Sequence, residues 1–161
     1  HGAALVEGIG EHVTPLPAPD PPAGILLVTP RDRLSTAAVF AEYDREPSQG
    51  ALERVDEIAA VVRDGVDGMT LAATTPMLRS ANDLWAPASR LLPELITLRD
   101  VVAEIIGRAV LLTGSGPTLV AVYPSEGAAN RAAATLGSAD EPALDGATVI
   151  STLTFGRAQE S

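Results

Sequence analysis

Two short apolar runs, Ala109-Val110-Leu111-Leu112 and Leu119-Val120-Ala121-Val122-Tyr123, are joined by Thr113-Gly114-Ser115-Gly116-Pro117-Thr118. No other stretch constrains the fold as much. Apolar runs of this length bounded by Gly and Pro read as buried strands, and so short a connection makes them a strand pair. Glycines on both sides of Ser115 let the backbone take positive φ twice, with no Cβ to block close approach from outside. Successive N–H groups in such a turn can converge into a concavity that accepts a phosphate or carboxylate. An ordinary Gly-rich hairpin connection also accounts for the same six residues, and for the turn taken alone it is the simpler reading. The turn is not a Walker loop, having no Gly-Lys-Ser/Thr and no following helix, and a strand follows where a dinucleotide fingerprint needs a helix.

Upstream, Ala3 to Pro17 reads as an edge hairpin turning at Gly8 and Gly10. Pro15, Pro17, Pro19, Pro21 and Pro22 then form a stiff connector, because Pro cannot donate to a ladder and biases toward polyproline geometry. A boundary is expected there, dividing the chain into 1–22 and 23–161. Gly24 to Thr29 reads as a central strand, and Pro30 to Leu34 as a loop. Ser35 or Thr36 caps a helix over Ala37–Tyr43. Leu52, Val55, Ile58, Ala59 and Val62 fall at helical spacing, ended by Gly65. Gly68 and Thr74-Thr75-Pro76 suggest a looser segment. Asn82 and Asp83 read as an N-cap pair, with Pro87 just inside the next helix. Leu91, Leu95, Leu98, Val102 and Ile105 form a stripe ended by Gly107, with Pro93 implying a kink or two abutting helices. An Ala-rich helix over Glu126–Leu136, a turn at Pro142–Gly146 and a β-branched strand over Thr148–Phe155 complete the chain.

The resulting order is strand, three or four helices, strand pair, helix, strand. It predicts an α+β fold: a split βαβ (ferredoxin-like) sandwich, with a mostly antiparallel sheet and helices on one face.

Composition narrows the function classes. The chain of 161 residues carries 21 Asp and Glu against 11 basic residues, all of them Arg, for a net charge of -10. An acidic domain without a basic stripe is a poor partner for nucleic acid or an anionic membrane. An anionic ligand must then be met by backbone dipoles or a few arginines, and Arg31 and Arg33 are candidates for a local positive spot. Cysteine is absent, which excludes disulfides and thiolate metal sites and fits a cytoplasmic location. No apolar run approaches a membrane span in length. His1 and His12 have no partner at metal spacing, Glu7 and Glu11 do not form a dyad on a glycine hairpin, and Trp85 is expected in the core.

The motifs carry a resemblance. Leu112 through Thr118, followed by an apolar strand, resembles the third signature motif of the galactokinase–homoserine kinase–mevalonate kinase–phosphomevalonate kinase superfamily. Asn82-Asp83-Leu84, about thirty residues upstream, is that motif's usual companion there. Pro30 through Leu34-Ser35-Thr36-Ala37-Ala38-Val39-Phe40 is similar to the strand–loop–helix stretch of the 4-diphosphocytidyl-2-C-methyl-D-erythritol kinases. Gly2 through Glu11 is similar to the segment just after the catalytic Asp of that family. Four motifs lie in register over essentially the whole chain.

The resemblance implies the C-terminal domain of an ATP-dependent kinase of the non-mevalonate isoprenoid route, acting with ATP and Mg²⁺ on the 2-hydroxyl of a cytidyl diphosphate sugar alcohol. Gly114, Ser115 and Gly116 would face the nucleotide. Ser35, Thr36, Pro117 and Thr118 would face the substrate. No catalytic or metal-binding residue is expected in this chain. In the family the catalytic Asp, the helping Lys and the phosphate loop lie in the N-terminal half, so His1 is expected to fall inside a longer protein. Alone, the chain is expected to bind no ATP or Mg²⁺ and to be inactive. Residues 1–22 would be left over from the N-terminal domain, their exposed hairpin open to pairing with a second copy as a homo-oligomer. Two alternatives remain: a non-catalytic ferredoxin-like ligand-binding or oligomerisation module, which the same superfold also serves, and, among enzymes, homoserine kinase.

Overall fold

The computed structural model describes residues 4–8, 10–47 and 51–154, and for 51–55 the backbone alone. Strand β1 (Ala4–Glu7) pairs antiparallel with β2 (His12–Pro15), and Gly8 and Gly10 both take positive φ between them. This hairpin is a two-stranded sheet of its own.

The main sheet holds β3 (Gly24–Thr29), β4 (Leu111–Leu112), β5 (Leu119–Tyr123) and β6 (Thr148–Leu153). Their order is β4-β5-β3-β6, and every neighbouring pair is antiparallel. With helices between β3 and β4 and between β5 and β6, this is the expected split βαβ arrangement. Burial alternates along β3, with Leu26 and Val28 pointing to the core and Ile25 and Leu27 to the other face, as the two-residue period of a strand requires. At the start of β3, Gly24 leaves room for the carbonyl of Ser125, into which a Cβ would run. Ala23 and Thr154 tie the end of β6 to the same place, Ala23 N–H donating to Thr154 Oγ1 at 3.0 Å and Thr154 N–H to the Ala23 carbonyl at 2.9 Å.

Among the described residues, six helices separate β3 from β4: α1 (Thr36–Tyr43), α2 (Ala51–Val62), α3 (Gly68–Ala73), α4 (Thr75–Arg79), α5 (Trp85–Leu91) and α6 (Glu94–Ile106). Helix α7 (Glu126–Gly137) separates β5 from β6. The core stacks Leu26, Val28, Leu119, Ala121 and Tyr123 of the sheet against Leu95, Leu98 and Val102 of α6 and Ala129 and Leu136 of α7. Leu26, Leu95 and Leu119 are all but fully buried, and removal from water stabilises the fold by about 1.5–3 kcal/mol for each such side chain. Against the opposite face, α3 adds a small cluster in which Ala72 meets Ala23 and Val122.

The segment expected to be loose, from Gly68 to Pro76, is instead helical. Asp67 Oδ1 accepts the Thr70 N–H at 2.6 Å and caps α3, which satisfies a donor the helix cannot. Gly68 serves close packing there, since a Cβ would lie 2.6 Å from the Pro124 carbonyl oxygen and 2.8 Å from that of Pro22. Pro76 falls in the first turn of α4, where its missing N–H costs nothing. Pro93 does divide the following stripe, with α5 ending at Leu91 and α6 starting at Glu94. Leu91 leaves that stripe because it ends α5 and is 41% exposed, whereas Gly107 closes α6 in the left-handed region, φ +63°. Trp85 is half-buried against the core, with the Arg99 guanidinium 4.1 Å from its ring centroid. Phe155, the expected end of the last strand, lies outside the described residues.

Candidate functional site: a glycine turn held by Asn82 and faced by a hydroxyl pair

The turn from β4 to β5 closes on its own backbone. Thr113 N–H donates to the Thr118 carbonyl at 3.0 Å, Gly116 N–H donates to the Thr113 carbonyl at 2.8 Å, and the Thr113 hydroxyl adds a 3.1 Å bond to the Thr118 carbonyl. Gly114 and Gly116 have φ of +51° and +77°, a region that side chains with a Cβ avoid. The N–H groups of Gly114 and Ser115 take no part in these closing bonds.

The two glycines differ in their surroundings. A Cβ on Gly114 would meet nothing within 4 Å, whereas one on Gly116 would lie 2.6 Å from Leu112 Cδ1. Gly114 therefore presents bare backbone to open space, and Gly116 is wedged against a buried leucine.

Three contacts fix the turn from outside. Asn82 Nδ2 donates to the carbonyls of Leu112 and Gly114, at 2.9 Å each, while Asn82 Oδ1 accepts the Leu84 N–H at 3.0 Å. Only one amide orientation satisfies all three, because both carbonyls need a donor. The Thr29 and Thr118 hydroxyls lie 3.0 Å apart, joining the end of the turn to β3. The Thr36 and Ser115 hydroxyls lie 3.0 Å apart on the outside of the molecule.

Ser35 caps α1, its hydroxyl accepting the Ala38 N–H at 3.4 Å, and Thr36 is the first helical residue. Ser35 is thus engaged in capping, and Thr36 reaches the turn. Pro117 follows a cis peptide and is half-buried, as is Thr118. The structure therefore places Thr36, Ser115 and Thr118 in one hydroxyl-lined region beside Gly114.

The N-cap expectation for Asn82 and Asp83 is corrected. The residue at the N-cap of α5 is Leu84, which makes no side-chain cap. Asn82 lies two residues earlier and spans from the start of that helix to a turn 30 and 32 residues away. Nothing in the local pattern distinguishes this bridge from a cap, since an Asn before a helix suits either; only its recurring company with the glycine turn could have signalled it.

Arg31 lies apart from the glycine turn. It lines a cavity of about 390 Å³ with Asp32, Glu94 and Asp145, its stem running along Gly146, and neither the glycine turn nor Ser35 and Thr36 borders that space. A second cavity of about 370 Å³ does reach the turn. It is walled by Leu5, Leu16, Ile58, Val62 and Leu78 and ends at Asn82 and Gly114.

Positive-φ glycine backbone, an open face at Gly114 and two hydroxyls at 3.0 Å suit an oxygen-rich group approaching from outside. No group of three or more His, Cys, Asp or Glu among the described residues is placed to hold a metal ion. None of the helices among the described residues is long and apolar enough to cross a membrane.

The glycine turn thus joins the edge strand β4 to β5 within an antiparallel α+β sandwich. Residues 72–141 match the family model described as GHMP kinases C terminal, and this part of the chain is such a domain. The 4-diphosphocytidyl-2-C-methyl-D-erythritol kinase of Moorella thermoacetica is 37% identical over 139 residues, which cover 84% of this chain and 46% of that protein. A crystal structure titled 4-(cytidine 5'-diphospho)-2C-methyl-D-erythritol kinase superposes with a TM-score of 0.56 at 27% identity, covering 95% of this chain and 50% of that one. Homoserine kinase from Cytophaga hutchinsonii superposes with a TM-score of 0.62 at 19% identity, covering 96% of this chain and 48% of that one; at that identity the likeness concerns the fold alone. The chain spans less than half the length of the curated relatives it matches.

Proposed function

We propose that this chain is the C-terminal part of a kinase that transfers the γ-phosphoryl group of ATP to the 2-hydroxyl of 4-diphosphocytidyl-2-C-methyl-D-erythritol in non-mevalonate isoprenoid synthesis. The observation that carries this reading is the Thr36–Ser115 contact, which brings the loop assigned to the substrate onto the turn assigned to the nucleotide. Relatives bearing this kinase's name match along most of the chain, which favours it over homoserine kinase and over a non-catalytic module.

Phosphoryl transfer asks a protein mainly for positioning and charge stabilisation. Mg²⁺, held with ATP by the N-terminal half, would neutralise charge on the phosphates. In this chain, Gly114, Ser115 and Gly116 form a wall against which the nucleotide phosphates lie, Gly114 offering backbone that no side chain shields. Thr36 and Ser115 present hydroxyls to the acceptor side, and Pro117 and Thr118 shape the floor between turn and sheet. The two walls enclose a cleft between domains, where substrates are commonly held. Residues 1–22 belong with the N-terminal half, a division supported by the separate two-stranded sheet they form. The assembly acts in the cytoplasm, and its hairpin can pair with a second copy when the N-terminal half is removed.

The test is a phosphorylation assay on the full-length protein, with ATP and either the cytidyl diphosphate sugar alcohol or homoserine, read by ³¹P NMR. Phosphorylation of the cytidyl compound alone is expected, with no turnover by the 161-residue chain. Preference for homoserine, or turnover by the isolated chain, overturns the proposal.

A further inference from the structure

Helix α1 is thinly packed, Val39 being its one buried residue. Yet its first residue carries the hydroxyl that meets Ser115. Val39 anchors the middle of α1 in the core, and a second contact away from that anchor fixes the tilt of the helix and with it the distance of its first residue from the turn. That second contact lies at the opposite end of α1.

Glu42 sits six residues after Thr36, or about 9 Å along the axis. Its side chain is only 14% exposed. Oε1 accepts from Nε of Arg90 on α5 at 2.8 Å, and Oε2 accepts from Nη1 of Arg45, one turn further along, at 2.6 Å. Arg90 Nη1 also lies 3.6 Å from Glu46. Helix α5 in turn starts beside Asn82, the residue that holds the Leu112 and Gly114 carbonyls. Turn, Asn82, α5, Arg90, Glu42, α1, Thr36 and Ser115 thus form a closed circuit. Beside the packing of Val39 in the core, its polar joints on α1 are the hydroxyl pair at one end and the ion pair at the other.

We propose that the Glu42–Arg90 ion pair is a positioning device that sets the angle of α1 against α5, and through it the separation of the Ser35–Thr36 loop from the glycine turn. The inference rests on the kinase reading given above. With Arg90 39% exposed, solvent screens the pair and it stabilises the fold little, so its consequence here is geometric. Arg45 provides an internal contrast. It binds the same carboxylate from within the chain leaving α1 and cannot tie α1 to α5.

The experiment compares Arg90→Gln, Arg45→Gln and Arg90→Lys in the full-length protein, together with Arg90→Gln combined with Thr36→Val. Arg90→Gln is expected to lower kcat about tenfold, the scale on which small misplacements act, with KM for ATP unchanged. Arg45→Gln should leave kcat unaltered, and Arg90→Lys should recover part of the loss. The double variant should be no slower than Thr36→Val alone, because Arg90 acts through that hydroxyl. Equal effects of the two Gln variants, or losses that multiply in the double variant, overturn the inference.

Amide hydrogen exchange of residues 34–40 in the same proteins needs no turnover. Faster exchange in Arg90→Gln and not in Arg45→Gln supports the device even where the kinase assay returns no activity, an outcome that would remove the functional reading alone. Identical exchange in the two variants overturns the device.

Discussion

Replacing Asn82 by Ala removes three hydrogen bonds at once: two donated to the carbonyls of Leu112 and Gly114, and one accepted from the Leu84 N–H. The Gly114 carbonyl is on an exposed residue and can return to water, but Leu112 is buried, so its carbonyl is left poorly satisfied. With a net hydrogen bond contributing about 0.5–1.5 kcal/mol and an orphaned buried acceptor costing more, the loss should be about 2–3 kcal/mol. For a chain of this size that lowers Tm by roughly 4–12 °C.

Two further substitutions separate bridging from capping. Asn82→Ser keeps a hydroxyl near the Leu84 N–H but cannot reach both carbonyls. Asn82→Asp keeps the acceptor and aims a carboxylate oxygen at two carbonyl oxygens. At neutral pH, Asn82→Asp should be at least as destabilising as Asn82→Ala. Stability should return in part on acidification, because the protonated carboxyl regains one donor. Urea unfolding of all three variants at neutral and acid pH provides the assay. An Asn82→Ser variant as stable as the native chain would show that capping suffices, and the bridging argument would then be wrong.

Gly114→Ala should cost roughly 1 kcal/mol from its left-handed backbone alone, and in the full-length protein should reduce turnover more than stability. Gly116→Ala adds a clash with Leu112 and should cost about 2–4 kcal/mol, so unfolding curves that match for the two variants would contradict the packing described. Thr36→Val and Ser115→Ala, both at the protein surface, should leave Tm nearly unchanged while lowering kcat/KM. A steady-state assay of the full-length protein checks this, and unaltered kinetics would remove the hydroxyl pair from the site. The Glu42 carboxyl is held below its ordinary range chiefly by its hydrogen bond from Arg90, and that of Asp67 by the Thr70 N–H. Lowered carboxyl values mean stability present at neutral pH and lost as the pH falls through each folded-state value. Glu42→Gln and Asp67→Asn should therefore flatten the acid limb of a Tm-against-pH profile, and an unchanged limb would contradict the assignment.

Much of the fold was legible from residues 24–29, 109–123 and 126–153, because strands and helices there are set by apolar period and by glycine and proline at their ends. The reading failed between Gly68 and Arg79. Gly68 is glycine for the sake of two neighbouring carbonyls, and Pro76 starts a helix instead of breaking one. Such roles depend on what packs alongside, and no local window contains that.

The site divides in the same way. That Gly114 and Gly116 take positive φ, and that Ser35 or Thr36 caps a helix, follows from the residue types themselves, since only the missing Cβ or a short hydroxyl side chain meets those local demands. Which glycine faces open space, which residue holds the turn, and that Thr36 meets Ser115 across 79 positions of sequence were decided only when β3, β5 and α5 packed together. Hydrogen bonds between distant segments are selected by the closed sheet and its core, and the sequence alone carries no measure of that distance.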